Sequence, residues 1–226
     1  YKALDEVMER SNTPLNISLF KEKINQGAWI LDTRPPEQFT EGFIPQSLNI
    51  GLKGRFAEWA GMLIPFGQPV VLVTSSGEEE ETIIRLARVG FDNVLGYLNG
   101  GFEGWKQADE KTDMIINIEP DELAMDLHFD KNLKVIDVRK PTEFADGHVK
   151  GAVNIPLDEM TDPAIISKAD DGQNMYIHCQ SGYRSVVACS LLKREGFHNL
   201  RNVSGGFKKI SHTPDIQVVK EERVLN

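Results

Sequence analysis

Hydrophobic positions along the chain follow two alternating periods. Val70-Val71-Leu72-Val73 is an unbroken, largely β-branched run, the pattern of a strand covered on both faces. Glu79 to Val89 then places Ile83, Ile84 and Ala87 on one side, which predicts an amphipathic helix ending at Gly90. Upstream, Ile17 to Ile24 predicts a short helix behind the polar cap Asn16, and Ala28 to Asp32 a strand that Pro35-Pro36 keeps from continuing. Phe39 to Ile50 carries a turn and a short strand, and Val94 to Leu98 a further strand before Gly100-Gly101. The succession then returns: a helix over Asp121 to Leu127, strands over Val135 to Val138, Met175 to His178 and Leu200 to Val203, and a helix over Tyr183 to Glu195. Alternation of this kind predicts an α/β fold with a central parallel β-sheet flanked by helices on both faces, and ligand sites at the carboxyl ends of the strands.

The return is a repeat in register. At an offset of 105, Leu31-Asp32-Thr33-Arg34 matches Ile136-Asp137-Val138-Arg139, Phe39 matches Phe144, and Gly42 matches Gly147. Asn49-Ile50 matches Asn154-Ile155 and Gly100-Gly101-Phe102 matches Gly205-Gly206-Phe207, while Gly90-Phe91 pairs with Gly196-Phe197 at 106. The chain therefore reads as two copies of one domain, 1–112 and 113–226, joined by a polar linker at Ala108 to Asp113. At 226 residues each copy has enough chain to bury its own core.

Composition adds exclusions. The net charge of −9 argues against nucleic acid and anionic membranes as partners, although a local nest of N–H groups can still hold a small anion. No apolar run approaches a membrane span and the charged start is not a signal peptide, which predicts no membrane association and a cytoplasmic location. The opening on Tyr1 rather than Met suggests a fragment or a processed form. Two cysteines, Cys179 and Cys189, lie ten apart without a CxxC, so a reducing compartment fits better than a disulfide framework.

Chemistry concentrates in Met175 to Ser185. A β-prone run delivers Cys179 into a short loop with Gly182, and Arg184 and Ser185 open the following helix. Loop N–H groups, a helix N-terminus and the Arg184 charge all favour a thiolate, lowering a thiol from its usual ~8.5 and predicting a substantial ionised fraction at neutral pH. Gln180, Ser181 and Tyr183 read as rim residues, Asp137 and Arg139 as braces at a strand end, and His178 as a strand-end residue rather than a base. Cys189, among Val186, Val187 and Leu192 at helical spacings, reads as core. His128, His198 and His212 have no ligand spacing, so no metal is expected. In the first copy the equivalent loop is Thr74-Ser-Ser-Gly77-Glu-Glu79-Glu80, with a hydroxyl for the thiol and carboxylates where an anion would sit; that copy is predicted inactive and the second catalytic.

Phe144-x-x-x-His148-Val149-x-Gly151-Ala152-x-x-Ile155, the Asp137-Val138-Arg139 strand end, the loop Cys179-Gln-Ser-Gly182-Tyr-Arg184-Ser185 and the late Gly205-Gly206 together resemble the rhodanese or sulfurtransferase domain, with Lys150 where proline is usual. The first copy keeps the scaffold but has Phe43, Gln46 and Ser47 in place of His148, Gly151 and Ala152. The leader Tyr1 to Arg10, Gly51 to Trp59 and Asn99 to Trp105 resemble more narrowly the tandem rhodanese region that follows a metallo-β-lactamase-like domain in bacterial persulfide dioxygenase fusions. That resemblance implies such a domain in the same parent polypeptide. Its metal chemistry lies outside this chain, which has no His-x-His-x-Asp-His cluster.

The resemblance implies a sulfurtransferase in which Cys179 is the nucleophile and Gln180, Ser181, Gly182, Tyr183, Arg184 and Ser185 bind substrate, with Asp137, Arg139 and His178 in support. The donor would be thiosulfate or a glutathione-type persulfide and the acceptor a thiol, with a covalent Cys179 persulfide and no cofactor in this chain. Cysteine-dependent phosphatases place five residues between Cys and Arg; the four between Cys179 and Arg184 make a tighter cradle, better suited to one sulfur atom than to a phosphoryl group. The alternatives are a non-catalytic persulfide-binding or regulatory protein-interaction module and, further off, a phosphatase or arsenate reductase.

Overall fold

The computed structural model describes residues 4–170 and 172–221, so Tyr1 to Ala3 of the leader lie outside the described residues. The chain divides into two compact units, one ending at Met114 and the other beginning at Ile115. The first contains α1 (Leu4–Ser11), β1 (Pro14–Leu15), α2 (Ile17–Asn25), β2 (Trp29–Asp32), α3 (Pro36–Glu41), β3 (Ser47–Asn49), α4 (Phe56–Leu63), β4 (Val70–Val73), α5 (Glu79–Arg88), β5 (Val94–Leu98) and α6 (Gly101–Gln107). The second contains β6 (Ile116–Ile118), α7 (Pro120–Phe129), β7 (Leu133–Asp137), α8 (Pro141–Ala145), β8 (His148–Val149), β9 (Val153–Asn154), α9 (Pro163–Ile166), β10 (Asn174–His178), α10 (Tyr183–Arg194), β11 (Leu200–Val203), α11 (Gly206–Ile210) and β12 (Val218–Val219).

Each unit is built on a five-stranded parallel sheet, in the order β1-β5-β4-β2-β3 and β6-β11-β10-β7-β9. The α/β expectation holds for both copies. Successive residues of β4 point to opposite faces, yet Val70, Val71, Leu72 and Val73 are all 0–1% exposed, so helices cover the sheet on both sides. Val71 and Val73 pack with Phe20, Ile30, Phe102 and Trp105; in the second unit Val135 and Tyr176 pack with Leu123, Val203 and Ile210. Capping follows the sequence signals: Asn16 Oδ1 accepts from Leu19 N at 2.9 Å, and α5 stops just before Gly90, which takes a φ of +88°.

Residues 108–113 fold back on the first unit, because Phe43 and Asp113 exchange two backbone hydrogen bonds of 2.9 Å and Trp105 Nε1 donates to the Lys111 carbonyl at 2.8 Å. The division therefore falls two residues later than 112/113.

Candidate active site

In β10, Met175 to His178 are buried at 0–3% exposure, and the strand pairs on both sides, with β7 and β11. This central strand carries the chain to Cys179, and Gly182, at φ +121°, turns it into α10. Cys179 is 1% exposed, yet its surroundings are polar. Gly182 N–H donates to Sγ at 3.1 Å, the thiol lies 3.6 Å from Ser185 Oγ, and that hydroxyl donates to the Gly182 carbonyl at 3.1 Å. Of the expected converging N–H groups, that of Gly182 reaches the sulfur. Cys189, inside α10, is fully buried and burial pushes its thiol up, as expected of a core residue.

The loop is held from behind. The Cys179 carbonyl accepts from Phe207 N at 2.7 Å and faces His178 Nδ1 at 3.1 Å; the Gln180 carbonyl accepts from Lys208 N at 3.1 Å. This approach requires glycine at 206: its φ is +57°, and a Cβ there would sit 2.4 Å from the Cys179 oxygen and 2.7 Å from the Gln180 carbonyl carbon. His178 is fully buried with Nε2 at 3.7 Å from Asp137 Oδ2, and burial pushes its pKa down, which favours the neutral ring.

Asp137 and Arg139 form a buried clamp. Arg139 donates to the carboxylate through its backbone N (3.0 Å), Nε (3.0 Å) and Nη2 (2.6 Å), and through Nη2 to the Gly147 carbonyl at 2.7 Å. Its guanidinium lies 3.9 Å over the Phe207 ring, and Nη1 reaches Gln180 Oε1 at 3.4 Å. Asn154 Nδ2 donates to the carbonyls of Asp137 (2.8 Å) and Arg139 (2.9 Å). The first copy repeats the clamp bond for bond: Arg34 to Asp32 (3.0, 3.0 and 2.6 Å) and Gly42 (3.0 Å), Arg34 over Phe102 (4.3 Å), and Asn49 to the carbonyls of Asp32 (3.0 Å) and Arg34 (3.1 Å). The 105-residue offset is thus a shared hydrogen-bond network as well as a shared fold.

Arg184 departs from the expected arrangement. Its Nη1 and Nη2 hold the two oxygens of Glu143 in α8 at 2.7 and 2.9 Å, so the charge expected to stand free for an anion is already paired with a carboxylate. The hydrogen bonds from Arg184, before any other cause, hold the Glu143 carboxyl well below its usual range, at about 2. Sequence reasoning missed Glu143 because it also has a local job, accepting from Lys140 N at 3.1 Å at the start of α8, and the first copy has Gln38 at the equivalent position. His148, stacked on Phe144 at 3.7 Å and bonded through Nδ1 to the Phe144 carbonyl at 2.9 Å, belongs to the scaffold. Gln180 and Ser181 are exposed at the rim, with Tyr183 half-buried beside them. Among the described residues no group of three or more His, Cys, Asp or Glu side chains is placed to hold a metal ion, and no helix is long and apolar enough to cross a membrane.

In the first copy Thr74, 8% exposed, stands where Cys179 stands in the second, with Gly77 at φ +85° and Glu79, Glu80 and Glu81 in the first turn of α5. A Cβ on Gly101 would meet the Thr74 oxygen at an ordinary 3.5 Å, so this loop is packed less closely from behind.

The rhodanese-like domain model matches residues 16–108 and again 119–213. The chain is 38% identical over 79 residues to the uncharacterized protein YqhL of Bacillus subtilis, a match covering 35% of this chain and 61% of that protein. It is 32% identical over 89 residues to the thiosulfate sulfurtransferase GlpE of Stutzerimonas stutzeri, covering 39% of this chain and 80% of that protein. A rhodanese-like domain protein from Staphylococcus aureus, known as a crystal structure, aligns at 28% identity with a TM-score of 0.42, covering 48% of this chain and all of that one. With both copies matched and one hydrogen-bond network repeated between them, the chain belongs to the rhodanese-like domain family, which it carries twice in tandem.

Proposed function

We propose that the second unit is a sulfurtransferase that carries sulfane sulfur as a persulfide on Cys179. The observation that carries this reading is the Gly182 N–H directed at Sγ from 3.1 Å, at the carboxyl end of the central strand and the start of α10. Family membership supports it, as do the relatives described as thiosulfate sulfurtransferases. The Cys179 thiolate attacks the outer sulfur of the donor. With thiosulfate, Cys–S⁻ and S–SO₃²⁻ give Cys–S–S⁻ and sulfite; with a persulfide, R–S–S⁻ gives Cys–S–S⁻ and R–S⁻. An acceptor thiolate then takes the outer sulfur and the Cys179 thiolate leaves. The Gly182 N–H serves the sulfur anion in both halves of the cycle.

Burial argues for sulfur over phosphoryl transfer. A residue only 1% exposed is reached by one protruding atom more readily than by a tetrahedral group, in keeping with the four residues between Cys179 and Arg184. The first unit, with Thr74 and no thiol in its loop, acts as scaffold or partner surface. The kinetic test is steady-state turnover with thiosulfate and a thiol acceptor. A two-step exchange predicts parallel lines in double-reciprocal plots and no turnover in Cys179→Ser; intersecting lines, or activity surviving that substitution, would overturn it.

A further inference from the structure

Two ion pairs flank the sulfur loop. Asp137 and Arg139 neutralise one another at 0% and 3% side-chain exposure. Arg184 and Glu143, at 20% and 33%, do the same at the mouth. Arg184 sits in the first turn of α10 between Gly182, whose N–H lies 3.1 Å from Sγ, and Ser185, whose hydroxyl lies 3.6 Å from it, so its charge bears on the reacting atom and on whatever anion approaches it. These two pairs thus cancel in charge, in contrast to the free Arg184 cation that the sequence predicts. Glu143 brings this about from a different element, α8, across 41 residues of chain. In the first copy the equivalent positions are Gln38 and Glu79, so the pairing is a feature of the second copy alone.

We propose that Glu143 is a specificity-determining residue: by pairing with both terminal nitrogens of Arg184 it holds the mouth of the site neutral and so handicaps dianionic sulfur donors relative to singly charged ones. The inference rests on Cys179 being the sulfur carrier. Coulomb attraction to Arg184 scales with donor charge, so neutralising that cation removes twice as much attraction from thiosulfate as from a persulfide monoanion. Glu143 is a third exposed and its bonds lie at the rim, so its amide variant keeps the fold.

The experiment compares kcat/KM for thiosulfate and for cysteine persulfide in the wild type and in Glu143→Gln. Release of Arg184 is expected to raise the thiosulfate-to-persulfide ratio about five- to tenfold, on the scale of one partly screened charge pair, and to steepen the fall of thiosulfate turnover with ionic strength. In Glu143→Gln/Arg184→Gln the rise in ratio should vanish, since the effect travels through Arg184. Glu143 stays ionised far below neutrality, so its pairing with Arg184 holds at the neutral pH of the comparison. A ratio that stays put or falls in Glu143→Gln, or that rises equally in the double variant, overturns the inference alone. A wild-type chain that takes sulfur from neither donor overturns the sulfur-carrier reading, and this inference with it.

Discussion

At the scale of single residues, the position of the thiol depends on what stands behind it. Gly206 lets the backbone of α11 approach the carbonyls of Cys179 and Gln180 so closely that a Cβ would overlap them, whereas Gly101, at a near-identical φ of +58°, has room. Alanine at either site carries the left-handed penalty of roughly 1–2 kcal/mol. Gly206→Ala must in addition displace the Cys179 loop, so thermal melts should show it as the more destabilising of the two, with sulfur transfer reduced at least about tenfold while Gly101→Ala keeps it. His178 gives a pH signature. Its folded pKa is depressed by burial below the unfolded ~6.5, so the unfolded chain binds the proton first, and the stability present above pH 6.5 is lost as pH falls toward the folded pKa. Replacing it with valine, the residue at the equivalent position 73, should flatten the drop in melting temperature between pH 7 and 5; parallel curves for the two proteins would contradict this.

At the scale of elements, the Asp–Arg clamp ties the end of β7 to the turn after α8 and, through Asn154, to β9. Truncating Arg139 leaves a fully buried carboxylate unpaired. Arg139→Met should therefore cost about 3–5 kcal/mol in urea unfolding, with much of it recovered in Asp137→Asn/Arg139→Met. This network was half legible. The 105-residue offset marks Asp137, Arg139, Gly147, Asn154 and Phe207 in the sequence, but only the coordinates show that these residues are bonded to one another. The central strands and long helices were readable because burial imposes a period on them. β1 has two residues and β6 begins with the exposed Ile116 and Asn117, so neither carries a hydrophobic pattern, and α6 and α11 begin at Gly-Gly pairs that read as turns. Glu143 was illegible for a different reason: an acidic residue in the first turn of a helix already has a local explanation.

At the scale of the whole molecule, one scaffold occurs twice and chemistry is assigned to one copy. The difference lies in the loop after the fourth strand of each sheet's chain order, Thr74 with three glutamates against Cys179 with Arg184 and Ser185. Installing a thiol in the first copy should not suffice, because its loop has Glu79 where the second has Arg184. Thr74→Cys/Cys179→Ser should therefore show no sulfurtransferase turnover, and measurable turnover would contradict the division of labour. The most direct test of the account is intact-protein mass measurement after exposure to thiosulfate or glutathione persulfide, with the modified peptide then located. The account predicts a gain of one sulfur atom per chain, on Cys179 and not on the buried Cys189, and no gain in Cys179→Ser. An unmodified wild-type thiol with both donors, or sulfur retained when Cys179 is replaced, would contradict it.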